Sequence, residues 1–479
     1  MVHQTLSQEG VSSVRGMNYS FSERRATPSL IPARIKIILG SAAYVAAFQW
    51  AYASVLSRTY AYEGFMYRDD PAIISATWIL ALIPSCWMPV LLRRPSQLVY
   101  WFFYLVIVVP AVVVTIHSYP GDAQDGLRTA VWIFSAFAAL GLTHAAPLAN
   151  IPQYRLQSHR VWVSLFSLSA LFYALIFSTF EPTLRFVPIS DVYTVRSLYH
   201  KSLEDVSIIV AYAVNWQAFV LNPLMIILGL ISRRKLVMAI GVIGQLLIYS
   251  FTGFRAVLFS TIFLVLLLIV CRSLSRFGLR MVLAWTAVVA GSTALYLWSG
   301  SQFLCSIIVE RLTGLPGLLT TFYFSFFSHH SKMLLSHSIL RGFLANPYGS
   351  EPPIIIGTVY LPSSGMHANA NFWADGFANF GMWGVFTFTA ILGVLFWLYD
   401  SITVNTDLRL AALMLAMPAI YLTNAGLFTC LLTHGVGFAC VVMYCLPNEI
   451  HLPPLNRRAL LQYSAIGRVP FSSRLATRP

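Results

Sequence analysis

The stretch LVYWFFYLVIVVPAVVVTI, residues 98–116, contains no charged side chain. A helix needs about 20 mainly apolar residues to cross the hydrocarbon core of a bilayer. Comparable runs recur along the chain of 479 residues, which is 57% hydrophobic and 10% charged, whereas a soluble domain carries about 25% charged residues. The sequence therefore predicts an all-α protein that crosses a membrane many times.

On both sides of this stretch, further apolar runs predict about twelve transmembrane helices in all. Their expected bounds are 35–56, 72–92, 98–116, 128–148, 161–180, 207–231, 236–252, 256–271, 279–298, 381–400, 409–430 and 431–446. The chain then divides into an N-terminal tail (1–34), helices one to nine (35–298), one large outer loop of re-entrant or interfacial amphipathic helices (299–380), helices ten to twelve (381–446) and a basic C-terminal tail (447–479).

The net charge of +14 would suit a nucleic-acid-binding protein, but most Lys and Arg residues lie in tails and short loops between apolar runs. With twelve helices, 21 of the 31 Lys and Arg residues fall on one side of the membrane. Positive residues concentrate on the cytoplasmic side of membrane proteins. We therefore expect both termini in the cytoplasm, the large loop outside, and no nucleic acid as a partner.

The outer loop ends in the sequence HANANFWADGFANFGMWG, residues 367–384, which combines amide, carboxyl and aromatic side chains with glycines. Asn371, Asp375 and Asn379 are spaced by four residues, so a helix would place them on one face. We expect a helix that lies along or enters the membrane and carries one polar stripe. This stripe either binds a ligand or caps and packs a re-entrant segment.

A single arginine, Arg255, stands in the sequence YSFTGFRAVLFS between the predicted helices 236–252 and 256–271. The connection is too short to carry the charge far from the membrane, and such a charge is costly unless it is paired or bound to an anion. A guanidinium suits the phosphate of a lipid. Arg255 therefore either binds a phosphate-bearing lipid or extends to the headgroups of the bilayer.

Several charged or titratable side chains gather in the outer loop, namely Glu310, Arg311, Lys332, Arg341, Glu351, His367 and Asp375. They include what transfer from a lipid pyrophosphate needs: cations that stabilise the departing pyrophosphate and a base that accepts a hydroxyl proton. His367 has the most suitable ordinary pKa for the base, and Asp375 and Glu310 are the alternatives. Each of these residues alone is also typical of a solvated loop.

Two groups of candidate metal ligands are less convincing. His330 and His337 in HHSKMLLSH would share a helix face, but a zinc site needs three or four ligands. Asp69 and Asp70 precede a proline, which is equally typical of the first turn of a helix. We therefore expect no metal and no other cofactor.

Three features together resemble the bacterial repeat-unit polymerases of O-antigen, capsule and exopolysaccharide synthesis, which are distantly similar to O-antigen ligases. They are the many helices with a dominant late outer loop, the segment TGFRAVLFS, and the outer loop from RLTGLPGLLTTFYFSFF through SSGMHANANFWADGFANFGMWGVF. The resemblance implies a glycosyltransferase of the bacterial inner membrane with a periplasmic active face. It would transfer a growing glycan from polyprenyl pyrophosphate to another lipid-linked repeat unit, without a metal or a nucleotide sugar.

The resemblance also implies site residues and partners. The residues are Arg255 for the pyrophosphate with Arg311 or Arg341 assisting, His367 or Asp375 for the acceptor hydroxyl, and Asn369, Asn371 and Asn379 for sugar hydroxyls. Besides the lipid-linked oligosaccharide and the surrounding membrane lipid, the implied partners are a chain-length regulator and a flippase.

Three other functions fit parts of the sequence. A transporter or flippase of lipid-linked oligosaccharides would also have about twelve helices, although matched halves are not visible. A metal-dependent glycosyltransferase with a polyprenyl-phosphate-sugar donor would use Asp69 and Asp70. An O-antigen ligase would differ from a polymerase only in its acceptor.

Overall fold

The computed structural model describes residues 30–447 except 153, 155, 181–194, 197, 200, 203–206 and 363–366. The described residues form helices, turns and loops, and none of them forms a strand. The helices are α1 Ile31–Thr59, α2 Pro71–Cys86, α3 Ser96–Ser118, α4 Ala123–His144, α5 Ser158–Thr179, α6 Ile208–Ile231, α7 Lys235–Thr252, α8 Arg255–Cys271, α9 Leu274–Ser299, α10 Gln302–His329, α11 Pro352–Tyr360, α12 Phe372–Ile402, α13 Leu408–Leu422 and α14 Leu427–Cys445. Nearly all of the two predicted tails, and most of the segment 181–206 between the fifth and sixth predicted helices, lie outside the described residues.

Within this described part, ten helices are long and apolar enough to cross a membrane, and α2, α8 and α13 are shorter apolar helices. The prediction of an all-α, polytopic membrane protein is therefore confirmed, and the number twelve stays a prediction. Each predicted span overlaps one of these helices. The boundary between the last two spans is displaced, because the chain leaves α13 at Leu422 and begins α14 at Leu427.

The loops richest in Lys and Arg meet at one end of the helix bundle, which we call the basic face. The hydrogen bonds that join them are Leu92 N to Leu274 O (3.0 Å), Arg94 Nη2 to Ala146 O (2.7 Å) and Arg409 Nη2 to Arg272 O (3.3 Å). At the other end, which we call the opposite face, Met66 N donates to Ser118 Oγ (2.8 Å). The loops that these hydrogen bonds join therefore lie in two groups, and the side of the membrane that each group faces stays a prediction.

The apolar stretch 98–116 lies at the centre of the bundle. It belongs to α3, which is buried by other helices along its whole length. The Phe103 ring packs against the Phe372 ring of α12, with centroids 5.4 Å apart. Gly317 of α10 approaches α3 so closely that a Cβ there would lie 2.8 Å from the Pro110 carbonyl oxygen. The most apolar helix therefore packs against protein rather than lipid, and it positions α10 and α12.

The predicted outer loop 299–380 contains a helix, α10, that is itself long and apolar enough to cross a membrane. This differs from the re-entrant or interfacial amphipathic helices expected for the whole loop. Glycines allow close packing here, since a Cβ on Gly314 would lie 2.7 Å from Leu56 of α1. Most side chains in the second half of α10 are buried, so this helix is part of the core. Its residues Glu310 and Phe322 both adjoin the loop that follows α1 at the opposite face.

Helix α12 is broken near its start, where Phe380 and Gly381 have non-helical backbone angles. The polar sequence before the break forms a short helix, and the apolar run after it forms the long part. Gly376 and Gly384 lie on either side of the break and touch, since a Cβ on Gly376 would lie 2.8 Å from the Gly384 carbonyl oxygen. The expected polar helix is therefore a short piece folded against the span that follows it.

Candidate functional site

The structure brings most of the predicted site residues into two separate clusters. The Glu310 cluster consists of Glu63, Arg255, Glu310 and Arg311. The Asp375 cluster consists of His337, Asn371, Asp375 and Asn379. Each cluster joins segments that are distant in the sequence, so the groups within it are positioned by the fold.

Glu310 is the centre of the first cluster and is almost completely buried, with 2% of the residue exposed. It lies with Arg311 in the π-helical stretch Cys305–Gly314, a geometry often found at functional sites. Ser306 Oγ donates to Glu310 Oε2 (2.6 Å), and Arg311 Nε lies 3.5 Å from Glu310 Oε1. Both carboxylate oxygens of Glu310 are thus engaged within the protein.

Arg255 approaches the same carboxylate from another helix. Gly253 follows α7 in the left-handed conformation (φ 65°), and Arg255 is the first residue of α8. Arg255 therefore occupies the tip of the predicted hairpin. Its charge acts electrostatically on Glu310. Two of the arginines expected to bind pyrophosphate, Arg255 and Arg311, thus lie around one buried glutamate.

Glu63 completes this cluster and was not expected from the sequence. It ends a short turn after α1, and Gly64 follows with φ 107°. A Cβ on Gly64 would lie 2.9 Å from the Phe322 ring. Burial, together with the neighbouring Glu310, raises the pKa of Glu63 to about 7, and Arg311 opposes this rise. The sequence signal is one acidic residue before a glycine in the aromatic stretch TYAYEGFMY, which predicts no ligand by itself.

Asn371 precedes the first residue of α12 and is fully buried. Its Oδ1 accepts hydrogen bonds from the backbone N–H groups of Trp373 and Ala374 (3.0 and 3.2 Å). Its Nδ2 donates to Thr320 Oγ1 of α10 (2.7 Å). The side chain is therefore a helix N-cap that is tied to a neighbouring helix. This geometry favours a structural role for Asn371 over the sugar binding expected from the sequence.

Asp375 and Asn379 share one face of the short helix, as their spacing predicts. Asn379 is fully buried; its Nδ2 donates to Asp375 Oδ1 (3.0 Å), and its Oδ1 accepts from Leu335 N (2.7 Å). Asp375 Oδ2 accepts from Leu427 N (3.2 Å) at the start of α14. The polar stripe therefore joins three segments of the chain. Asn379, like Asn371, uses its amide within the protein, which favours a structural role over sugar binding.

His337 adds a titratable group to the Asp375 cluster. Its Nε2 lies 3.8 Å from Asp375 Oδ1, and both side chains are mostly buried. Burial lowers the pKa of His337 to about 4, so its imidazole is neutral at physiological pH. Wherever the structure describes the chain, no group of three or more His, Cys, Asp or Glu residues could hold a metal ion.

The remaining predicted site residues lie outside both clusters. Lys332 places its Nζ 4.3 Å from the centroid of the Phe377 ring, and burial lowers its pKa. Arg341, His367 and Asn369 are exposed. Their neighbour Ala368 is held in place, because its carbonyl oxygen accepts a hydrogen bond from a tyrosine hydroxyl of α10 (3.0 Å).

The acidic pair before α2 supports the interpretation as a helix start. Asp70 Oδ1 accepts a hydrogen bond from Ala72 N (2.8 Å), so Asp70 is the N-cap of α2. Asp69 is exposed beside it. A carboxylate that caps a helix has one oxygen engaged by the backbone, which weakens the case for a metal-dependent glycosyltransferase.

Comparison with known proteins does not assign this chain to a family. No family model, curated protein or solved structure matches the chain.

Proposed function

We propose that this protein is a metal-independent glycosyltransferase of the bacterial inner membrane. It would polymerise oligosaccharide repeat units that are linked to polyprenyl pyrophosphate. The observation that carries the proposal is the convergence of Arg255 and Arg311 on Glu310 in a polytopic helix bundle. Arginine suits a pyrophosphate because its planar guanidinium offers paired donors to phosphate oxygens.

The charges of the Glu310 cluster support anion binding. A buried carboxylate needs compensating charge, and Glu310 has two guanidinium groups near it. The Arg311 side chain is 40% exposed, so it can contact a ligand while Glu310 holds it. The two arginines would then stabilise the negative charge that develops on the pyrophosphate as its bond to the donor sugar breaks.

The difference in charge between the two faces of the bundle supports a periplasmic location of the reaction. Positive residues concentrate on the cytoplasmic side, so the basic face would be cytoplasmic and the opposite face periplasmic. The Glu310 cluster adjoins the loop after α1 at the opposite face. Lipid-linked repeat units would therefore reach it from the outer half of the membrane. The Asp375 cluster would hold the broken start of α12.

The test is Arg255→Ala introduced at the native locus, with Arg128→Ala as the matched control. Arg128 is an exposed arginine that pairs with Asp125 (3.1 Å) and belongs to neither cluster. A sizing gel measures the polysaccharide, and mass spectrometry measures the polyprenyl-linked glycans. We expect Arg255→Ala to lose long polymer while single repeat units are still exported, and Arg128→Ala to retain it.

Other outcomes identify other functions. Full-length polymer that stays on its lipid carrier would indicate a ligase, which uses the same donor chemistry. Incomplete repeat units would indicate an enzyme that adds single sugars. Unchanged polymer in Arg255→Ala, at a protein level equal to that of the control, would exclude the proposed role of Arg255.

A further inference from the structure

A glycosyl transfer from a pyrophosphate needs its base close to the leaving group, because the acceptor hydroxyl attacks the carbon that carries the pyrophosphate. The base must therefore lie near the arginines that bind the pyrophosphate. In the described part of the chain, the carboxyl groups beside Arg311 are those of Glu63 and Glu310, and Arg255 acts on Glu310. Asp375 belongs to the other cluster. Geometry therefore favours a glutamate over His367 and Asp375 as the base, because neither of these two residues belongs to the Glu310 cluster.

We propose that Glu63 is the general base of this site, a role that rests on the proposed function. Glu63 Oε2 takes the proton of the acceptor hydroxyl while the hydroxyl oxygen forms a bond to the anomeric carbon of the donor glycan. The bond from that carbon to the pyrophosphate oxygen breaks, and its electron pair leaves on polyprenyl pyrophosphate, which Arg255 and Arg311 stabilise. The products are the lengthened lipid-linked glycan, polyprenyl pyrophosphate and protonated Glu63.

Glu63 is available for this step and Glu310 is not. Glu310 Oε2 accepts from Ser306, and Oε1 pairs with Arg311. Glu63 Oε2 is buried without a well-formed hydrogen bond from any residue that the structure describes, although the hydroxyl of its neighbour Tyr62 interacts with this carboxyl group. A buried acceptor without a donor is uncommon in native proteins and calls for an explanation. A hydroxyl group of the acceptor sugar would supply the missing donor.

The position of Glu63 is fixed by its neighbours. Gly64 adopts φ 107°, a conformation that other residues rarely adopt, and packs against the Phe322 ring of α10. Thr59, at the end of α1, forms a hydrogen bond with Tyr296 of α9 (3.0 Å). The loop that carries Glu63 is therefore attached to helices on both sides. A base held in this way meets the acceptor in one geometry, which general base catalysis requires.

The surrounding charges suit a base that works near neutral pH. The groups that face Glu63 are Glu310 and Arg311 from α10 and Tyr62 from its own loop. Burial and Glu310 raise the pKa of Glu63, Arg311 and Tyr62 oppose this rise, and the resulting pKa is about 7, so about half of the molecules hold an ionised carboxylate at that pH. A bound pyrophosphate adds negative charge nearby, which raises the pKa further and favours proton transfer to Glu63. Exposed parts of Tyr62 and Arg311 leave the cluster open to a ligand.

The experiment uses the purified full-length protein in liposomes, with lipid-linked repeat units isolated from cells that lack the protein. The variants are Glu63→Gln, Glu63→Asp and the control Glu351→Gln, which changes an exposed glutamate outside both clusters. Single-turnover transfer is measured from pH 5.5 to 8.5, and donor binding is measured separately. We expect Glu63→Gln to bind the donor normally and to transfer it about 100-fold more slowly.

The pH profile separates catalysis from folding. The unaltered protein and Glu351→Gln should show a rate that rises with pH and has its midpoint at or above about pH 7, since the ionised form of Glu63 is the active one and bound pyrophosphate raises its pKa. Glu63→Asp keeps a carboxyl group and should retain this rise at a lower rate, whereas Glu63→Gln should lose it. Transfer by Glu63→Gln at the unaltered rate and pH profile would overturn the role of Glu63 alone. Absence of transfer by the unaltered protein would instead refute the proposed function.

Discussion

The Asp375 cluster and the Glu310 cluster contain similar chemical groups but use them differently. Asn371, Asp375 and Asn379 engage backbone N–H groups and side chains of neighbouring segments, and the atom of this cluster that is buried without a described partner is the ring nitrogen His337 Nδ1. In the Glu310 cluster, Glu63 keeps a buried carboxylate oxygen without a well-formed hydrogen bond from a described residue, its carboxyl group interacts with exposed Tyr62, and Arg311 is partly exposed. A buried polar group that is hydrogen-bonded inside the protein supports the fold. A buried acceptor that lacks a well-formed hydrogen bond and lies beside partly exposed side chains can bind a ligand.

The difference teaches how to weigh polar motifs in an apolar chain. The densest polar motif, residues 367–384, forms the structurally engaged cluster. The cluster that we assign to chemistry is assembled from four residues in three separate segments. In a membrane protein, polar side chains between helices also stabilise packing, so a dense polar motif marks a packed junction as readily as a binding site.

The largest effect that tests this comparison is expected at the break in α12. A Cβ on Gly384 would overlap the carbonyl group of Gly376, so Gly384→Ala forces the backbone to move, at a cost of about 3 kcal/mol. Gly291→Ala in α9 is the control, because nothing lies within 4 Å of a Cβ at that position. Thermal unfolding in detergent should show a large loss of stability for Gly384→Ala and none for Gly291→Ala. Equal stability of the two would mean that the break is not a rigid support.

The next effect is the loss of the α12 cap. Asn371→Ala removes the acceptor for two backbone N–H groups and the donor to Thr320, and loss of an N-cap costs about 1–2 kcal/mol. Asn371→Ser keeps a capping oxygen and should cost less. Unfolding measurements on both variants give the stabilities, and transfer assays on the folded protein give the activity. A raised KM for the acceptor with unchanged stability would show that Asn371 binds sugar after all.

The sequence predicts the fold as far as apolar length and charge determine it. Runs such as 98–116 are apolar enough to be identified as membrane helices from composition alone. Helix α10 is also long and apolar enough to be identified from composition, but the prediction assigns it to an outer loop because charged residues, glycines and a proline interrupt its sequence. Its burial depends on Gly314 and Gly317 meeting α1 and α3. Such close approaches between distant helices leave no periodic signal in one sequence. Charge predicts the side of the membrane on which each loop lies, but it does not predict how the helices pack.

The candidate site is also predicted only in part, because contacts between distant segments leave no signal in one sequence. Spacing by four correctly places Asp375 and Asn379 on one face, and the tip position of Arg255 follows from the two apolar runs around it. Spacing does not tell whether that face meets a ligand or the backbone of another segment. Glu63 is outside the prediction, because its environment comes from Glu310, which is far along the chain.

A direct comparison of Asp375 with Glu63 tests the distinction between the two clusters. Asp375→Asn keeps an acceptor for Leu427 N and should change the transfer rate by less than about tenfold, or 1.4 kcal/mol. Glu63→Gln should reduce the same rate by about 100-fold. The two variants are measured side by side in liposomes at pH 7.5, with the amount of folded protein determined for each. The reverse order of effects would exchange the roles of the two clusters.

The smallest expected effect is a pH dependence of stability that belongs to Glu63. Its pKa is about 7 in the folded protein, above the ordinary value of 4.5. Folding therefore favours the protonated form, so this contribution to stability is fully present below about pH 4.5 and is lost as the pH rises through about 7. Glu63→Gln is neutral throughout and avoids this loss. Its thermal midpoint, relative to that of the unaltered protein, should be about 1–2 °C higher at pH 8 than at pH 5, since partial exposure of Glu63 keeps the effect small.

A difference that stays constant between pH 5 and 8 would mean that Glu63 is a solvated loop charge. The Glu310 cluster would then have no free buried oxygen, and its contrast with the Asp375 cluster would disappear.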